Sequence, residues 1–317
     1  LCTVAGFDLS NLTLIMTALL LMVVIYTVLG GMLSVLVTDF LQFVVMSAGL
    51  ILVTFFVLWK VGWTQITDTV HANYGDGGFN PFLHANLGWP FVLSNMLTSV
   101  AAVMTWQPVI ARVLAAKDSA TGRKVYTGTS FFFICRWIIP GLWGMAALTL
   151  VTPAMLQPVA DALGEKNPGL LAMPYFLAMV VPTGLMGLLI AAMLAAEMST
   201  DSSYMLTWGG VIYNDIVGPF RRKPPTERVG LIWNRFIVAC IGVFLLLWGL
   251  WYKIEGNVWE YLQITGTIYL AAMSTLLVAC CYWKRANNWG AIAAIVVGAA
   301  LPAAALAINK LVLVDVV

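Results

Sequence analysis

The sequence predicts an all-α polytopic membrane protein, and three observations predict it. Of 317 residues, 61% are hydrophobic and 9% charged, with a mean hydropathy of +0.92, against about 25% charged in an ordinary soluble domain. Apolar runs of 18 or more residues recur along the whole chain, the length at which a helix spans a bilayer. Lys and Arg are not spread evenly but collect in alternate connections between those runs. No soluble domain, repeat array or low-complexity tail is visible, so residues 1–317 read as a single membrane domain.

Taken in order, the spans are expected at roughly 10–29, 33–59, 90–115, 126–151, 183–214, 230–252 and 260–283, with an eighth at about 289–309. The first two are separated only by Gly30-Gly31, a tight turn. The third is interrupted by Thr105-Trp106-Gln107-Pro108, and irregular backbone at membrane depth is tolerated where it lines a cavity or is buried in protein. The fifth exceeds the roughly 20 residues a span needs and must tilt or run on beyond the membrane. Two shorter apolar pieces, 79–85 and 170–180, suit interfacial segments. The connections 61–89 and 152–172 carry the Trp, Asn and Gly of wet, ordered surface. The chain opens at Leu1 without a charged leader and a cleavage site, which reads as the inner and C-terminal part of a longer protein.

Charge sets the orientation. Arg112, Lys117, Arg123 and Lys124 follow the third span, Arg221, Arg222, Lys223 and Arg228 the fifth, and Lys284 and Arg285 the seventh. The alternate connections hold only Lys60, Lys166, Lys253 and Lys310. The positive-inside rule therefore puts the loops at 112–125, 216–229 and 284–288 in the cytoplasm of a multi-pass protein of the plasma or inner membrane. Scattered loop charge gives no basic face for nucleic acid. The five cysteines (Cys2, Cys135, Cys240, Cys280 and Cys281) lack ligand spacing, and those in apolar runs are expected as reduced, buried thiols.

Polar groups inside the spans carry the functional signal. AAMLAAEMSTDSS (Ala191 to Ser203) puts Glu197, Ser199, Thr200, Asp201, Ser202 and Ser203 in the middle of the fifth helix. A carboxylate there costs roughly 2.5–3.5 kcal/mol or more. A lone hydroxyl would simply bond back to the carbonyl one turn earlier, whereas four hydroxyls and two acids in seven residues call for a cavity, an ion or one another. At about 100° per residue, Ala196, Ser199, Thr200 and Ser203 share a face, with Glu197 and Asp201 along the neighbouring edge. Hydroxyls, carbonyls and one carboxylate suit a hard alkali cation. No Cys or His lies near, and His71 and His84 fall in an outer loop, which disfavours a transition metal. Asp39, about two turns into the second helix, needs a cation or a hydroxyl cluster from another helix, with Thr38 and Gln42 beside it. The small residues before the cluster, from Gly184 to Ala196, permit close helix approach. Arg136 and Arg235 are placed to snorkel. Gln263, Thr265 and Thr267 open the seventh span from the outside, within reach of a solute.

Four ordered motifs then resemble those of the sodium:solute symporter family, the sodium–glucose, sodium–proline and sialic acid cotransporters. They are IYTVLGGMLSVLVTDFLQ (Ile25 to Gln42), VIARVLAAKD (Val109 to Asp118), LAAEMSTDSS (Leu194 to Ser203), and YLQ with WKRANNWGA (Tyr261 to Gln263 and Trp283 to Ala291). The resemblance implies a LeuT-type inverted-repeat bundle with ions and solute at its mid-depth. It makes 1–61 core helices four and five, 88–283 core helices six to ten, and 289–309 an added helix, with core helices one to three not represented. It further implies that Ala196, Ser199 and Thr200 give half of the conserved sodium site, the other half coming from the first core helix. Asp39, Ser199, Ser202 and Ser203 match a second sodium site of some members. Gln263 matches a helix-ten glutamine that touches sugar in the glucose carriers, and Gln107 the glutamine before the helix-six arginine, here Arg112. Ala102 stands where the sugar carriers have a gating aromatic and Trp106 where they have an acid, which counts against a sugar. Glu197 and Asp201 replace small or apolar residues, adding charge beside the sodium site.

Together these features imply a sodium-coupled symporter moving a small organic solute by alternating access, with Na+ as its only metal, no cofactor, and Thr105, Trp106, Gln107 and Gln263 as solute or gate residues. Its partners are the solute, Na+ and the lipid bilayer, and nucleic acid is not among them. The alternatives are a proton-coupled carrier using Glu197 and Asp201, or a symporter-like sensor domain of a signalling protein. An enzyme is disfavoured, because no nucleophile–base pair, metal cluster or phosphate loop lies in a span. A channel is disfavoured because polarity is gathered at one depth.

Overall fold

A computed structural model describes residues 12–84, 87–163, 167–220, 226–251 and 258–314. The described residues are mostly helical, in eleven α-helices with short 3₁₀ and π segments and turns between them. Seven helical runs are long and apolar enough to cross a membrane. The first, Ile15–Val61, has 47 residues, about 70 Å at 1.5 Å per residue and enough for two crossings. Counted that way, the runs correspond to the eight expected spans. The chain divides into two compact units, Leu1–Ala72 with Arg123–Lys253, and Asn73–Gly122 with Ile254–Val317.

In the first unit, α1 (Leu12–Val61) is two helices joined at Gly31, whose backbone sits at φ 64°, ψ −167°. That region is open essentially to glycine alone, so the Gly30-Gly31 pair is what divides the apolar run. Taken as a whole, α1 packs along α8 (Thr183–Val211) more extensively than any other two described elements pack, and its second arm enters the larger core. Its Val53 and Val57 are fully buried with Leu142 and Trp143 of α5 (Ser119–Leu150) and with Phe176 and Leu177 of α7 (Ala172–Val180). Trp143 donates its indole N–H to Thr54 Oγ1 at 3.1 Å, and Thr54 in turn donates to the Leu50 carbonyl at 2.7 Å. The first arm packs on α8 and on α9 (Glu227–Trp251) through Val23, Met205 and Val238. Glycines set these approaches, since a Cβ on Gly49 would stand 2.6 Å from Ala192 Cβ, and one on Gly209 2.7 Å from Val238.

The connections 61–89 and 152–172 hold more structure than their polarity suggested. Residues 63–74 form α2 (Trp63–Tyr74), which buries Ile66 and Val70 in the same core as Val57. Residues 153–163 form α6 (Pro153–Leu163), burying Leu156, Val159 and Ala160. Both are short amphipathic helices whose apolar residues are too few to register as spans. Of the two short apolar pieces, 170–180 is mostly α7, preceded by a 3₁₀ turn at Pro168–Leu171. Residues 79–84 are turns, with Asn80 Oδ1 accepting from the Phe82 N–H at 3.0 Å, while residue 85 lies outside the described residues.

In the second unit the broken span is α3 (Gly88–Thr105) followed by α4 (Gln107–Leu114), with Trp106 extended between them at φ −70°, ψ 104°. Pro108 at the start of α4 removes a donor that a helix's first turn could not use. α3 packs on α10 (Val258–Tyr282), and α10 on α11 (Asn288–Val314), where Gly298 lies against Ala272.

Two expectations are corrected. The thiols are free, but Cys240, Cys280 and Cys281 are exposed and Cys135 is half-buried; Cys2 lies outside the described residues. An apolar run in a membrane helix marks contact with lipid as readily as protein interior, so hydropathy alone could not bury them. Arg235 does more than snorkel, because its guanidinium donates to the Leu29 carbonyl at 3.3 Å, at the end of the first arm of α1. Arg136 is exposed, its guanidinium 5.5 Å from the centre of the Phe133 ring.

Candidate functional site

The polar cluster of the fifth span is continuous α-helix within α8. Its hydroxyl protons are placed on the helix's own carbonyls. Ser199 Oγ and Thr200 Oγ1 both donate to the Ala196 carbonyl, at 2.9 and 2.8 Å, and Ser202 Oγ and Ser203 Oγ both donate to the Ser199 carbonyl, at 3.2 and 2.6 Å. The plain back-bonding expected of membrane Ser and Thr thus holds for all four. It does not spend their oxygen lone pairs, so four oxygens able to ligate a hard cation remain within two turns of helix. Ser202 is fully buried, Ala196, Ser199, Asp201 and Ser203 are half-buried, and Glu197 and Thr200 are exposed.

Both arms of α1 hold this stretch. From the first arm, Tyr26 donates its phenol to the Met198 carbonyl at 3.0 Å. From the second, Gly49 lies against Ala192 and the Leu188 backbone, while Val53 and Val57 share a core with Leu185, Met186 and Leu189, which come before Ala192 on α8, and this makes the arm antiparallel to α8. Ten residues along each helix from the Gly49 contact, about 15 Å, stand Asp39 on α1 and Met198 and Ser202 on α8. The only carboxylate in the span of α1's second arm is therefore level with the hydroxyl cluster and half-buried. Beside it, the Thr38 hydroxyl donates to the Val35 carbonyl at 3.0 Å. Gln42 Oε1 is buried with no hydrogen-bond partner among the described residues. Thr27 Oγ1, on the first arm, is in the same state, and Thr27 is only 1% exposed.

The second unit gathers the other candidate residues on one seam. Tyr269 of α10 donates its hydroxyl to the Thr105 carbonyl, the last of α3, at 2.9 Å. It accepts from Gln107 Nε2 at 3.3 Å, so one hydroxyl touches both sides of the break at Trp106. Thr105 is buried, and its own hydroxyl donates to the Ala101 carbonyl at 2.7 Å. Nearer the start of α3, Gln263 Nε2 donates to Asn95 Oδ1 at 3.3 Å. Asn95 in turn donates through Nδ2 to the Phe91 carbonyl at 2.9 Å. Thr265 and Thr267 bond back to Tyr261 and Gln263, at 2.7 Å each, and add nothing to the seam. On α4, Arg112 donates to the Pro108 carbonyl at 3.1 Å.

Sequence reasoning did not find Tyr26, Asn95 or Tyr269. A half-buried tyrosine or asparagine in an apolar helix gives no distinctive spacing, and the partners of these three lie more than 160 residues away or on the residue's own helix. The available hint was the break itself, because a carbonyl freed at membrane depth needs a donor.

The family model of the sodium:solute symporter family matches residues 3–298. Sodium/glucose cotransporter 4 of Mus musculus is 27% identical over 91% of this chain and 46% of its own length. The osmoregulated proline transporter OpuE of Bacillus subtilis (strain 168) is 28% identical over 88% of this chain and 54% of its own. Sodium/myo-inositol cotransporter 2 of Rattus norvegicus is 24% identical over 91% and 46%. The chain spans about half the length of these relatives.

Proposed function

This chain belongs to the sodium:solute symporter family, and from that premise we propose that it forms the ion-binding part of a sodium-coupled carrier for a small organic solute. The observation that carries the reading is on α8: four hydroxyl oxygens from Ser199 to Ser203 lie within a membrane span, level with the carboxylate of Asp39. Ala196, Ser199 and Thr200 supply oxygens to one sodium ion. Asp39 with Ser199, Ser202 and Ser203 supplies a second. Thr105, Trp106, Gln107 and Gln263 face the solute or its gate. Glucose, myo-inositol and proline, which the relatives' names carry, are the solutes to try first.

The positive connections after α4, after α8 and after α10 face the cytoplasm in this reading, so α8 runs from outside to inside. Core helices four to ten of the inverted-repeat bundle are assigned to 1–61 and 88–283, and the helix at 289–309 is added. Sodium binding stabilises the outward-open state and completes the solute site, and release of sodium inside frees the solute. Each sodium ion draws about 2.3 kcal/mol per 100 mV of membrane potential, besides its concentration gradient. It biases the cycle only by its different affinity for the two states.

The test is thermal unfolding of the full-length protein in detergent, in sodium against potassium at equal ionic strength. A sodium-specific rise following RT ln(1 + [L]/Kd) is expected, abolished or reduced in Ser199→Ala and partly lost in Asp39→Asn. Equal stability in both salts sinks the sodium reading and leaves a proton-coupled carrier using Glu197 and Asp201, or a sensor.

A further inference from the structure

Two glutamines on the seam between α10 and the broken helix are turned the same way, each by a relay that ends on a backbone carbonyl. The Phe91 carbonyl can only accept, so Asn95 must present its Nδ2 to it, and that bond measures 2.9 Å. Asn95 Oδ1 therefore faces Gln263, which must present Nε2, at 3.3 Å. Along the seam, the Thr105 carbonyl likewise only accepts. Tyr269 spends its single proton there, at 2.9 Å. Toward Gln107 the phenol can then only accept, and Gln107 must present Nε2, at 3.3 Å. Reversing either amide would set oxygen against oxygen at the far end of its relay.

In each case the oxygen is left over. Neither Gln263 Oε1 nor Gln107 Oε1 has a hydrogen bond among the described residues. Gln263 and Tyr269 are six residues apart on α10, about 9 Å along its axis. The seam thus offers two fixed acceptors at separate points.

From this polarity we infer that the solute meets Gln263 and Gln107 with hydrogen-bond donors, hydroxyl or amine, and that Asn95 and Tyr269 are positioning residues which set that preference without touching the solute. An acceptor such as a carboxylate or phosphate oxygen is rejected at these two points, since it would face an oxygen that cannot turn. The inference rests on the symporter reading, and it adds the chemical class of solute and the residues that enforce it.

The experiment has two arms, both on the full-length protein. In the first, proteoliposomes with an inward sodium gradient are assayed for uptake of labelled D-glucose, myo-inositol and L-proline. Uptake of a solute is then competed by analogues that lack one donor at a time: the deoxyfluoro sugars, the deoxyfluoro inositols, or N-methyl-L-proline. Fluorine keeps the shape and loses the donor. At least one position is expected to lose about tenfold or more in apparent affinity, because the bound solute covers the glutamine oxygen and leaves it unpaired. In Asn95→Leu or Tyr269→Phe the freed amide can turn, and that discrimination should fall to about threefold or less while uptake of the parent solute persists. A merely structural role for Asn95 or Tyr269 would lower uptake and leave the ratio unmoved. Equal competition at every position, or an unchanged ratio in both variants, overturns the inference.

The second arm needs neither sodium nor solute. Gln263→Glu places a carboxylate oxygen against Asn95 Oδ1, whereas Gln263→Met only removes one hydrogen bond. Above pH 7 the Glu variant should unfold at a lower temperature than the Met variant. A Glu variant as stable as the parent would show that Asn95 is not held, and would overturn the inference. If none of the three solutes is taken up while the second arm behaves as stated, symport of these solutes fails and the polarity of the seam stands.

Discussion

Gly49→Ala tests the seam on which the ion-site reading depends. The new Cβ would sit 2.6 Å from Ala192 Cβ and 3.1 Å from the Leu188 carbonyl oxygen. Ordinary contact between such carbons is about 3.5–4.0 Å, so α1 and α8 must part by about 1 Å or more. Forcing an extra methyl into a packed interior costs roughly 1–3 kcal/mol. Alanine returns up to about 1 kcal/mol through helix propensity. A net loss of about 1–2 kcal/mol remains, and at roughly 2–4 °C per kcal/mol the unfolding midpoint should fall by several degrees. Ala192→Gly removes the opposing methyl, so Gly49→Ala/Ala192→Gly should regain most of the loss, with a coupling of about 1 kcal/mol or more in the double-mutant cycle. The assay is thermal unfolding in detergent followed by tryptophan emission, in sodium and in choline. Because Asp39 and Ser202 lie along the same two helices, the sodium-dependent rise should also shrink in Gly49→Ala and return in the double variant. A Gly49→Ala midpoint at or above that of the parent, or no rescue by Ala192→Gly, refutes the close approach and the register drawn from it.

Other consequences are as direct. Gly31→Ala forces a side chain into a conformation reserved for glycine and should cost about 1–3 kcal/mol, whereas Gly144→Ala, with nothing within 4 Å of the new Cβ, should be neutral or better; unfolding midpoints compare them. Trp143→Phe removes the N–H donated to Thr54 and should cost about 0.5–1.5 kcal/mol for the bond besides the lost contacts, with Thr54→Val adding little to it. Asp118 accepts the Thr121 N–H at 2.7 Å at the start of α5, and this bond holds its carboxyl below the usual range. A group with a lowered folded value stabilises above its unfolded pKa, about 4, and loses that stabilisation as pH falls through the folded value. Asp118→Ala should therefore lie below the parent in midpoint at pH 7, and the gap should close toward pH 3.

Most of the fold was legible because a bilayer imposes few solutions. Length and hydropathy placed the spans, Gly30-Gly31 divided α1, and Trp106-Gln107-Pro108 marked the broken helix, each by a local property of the chain. The hydroxyl cluster was legible for the same reason, since Ser199 to Ser203 lie on one helix. What escaped was long-range. α2 and α6 were hidden because two or three buried residues, such as Ile66 or Leu156, leave no strong periodic mark. The bonds from Tyr26 to Met198 and from Tyr269 to Thr105 depend on which helices become neighbours, and nothing in either residue's surroundings announces its partner. The exposed cysteines show the converse failure: where lipid is the solvent, an apolar neighbourhood does not say which way a side chain faces.

The double use of the Ala196 and Ser199 carbonyls bears on turnover. A carrier passes through an empty state once in every cycle, and a ligand cage whose members need the ion to be satisfied would trap it or collapse when it leaves. On α8 each hydroxyl proton rests on one of the helix's own carbonyls. In the sodium reading proposed above, departure of the ion would then strand no donor in the apolar interior, and the hydroxyls would need no new partners before the next arrival. In that reading such a helix would be vacated and refilled with little rearrangement of its own, and the slow steps of transport would fall to the movement of whole helices.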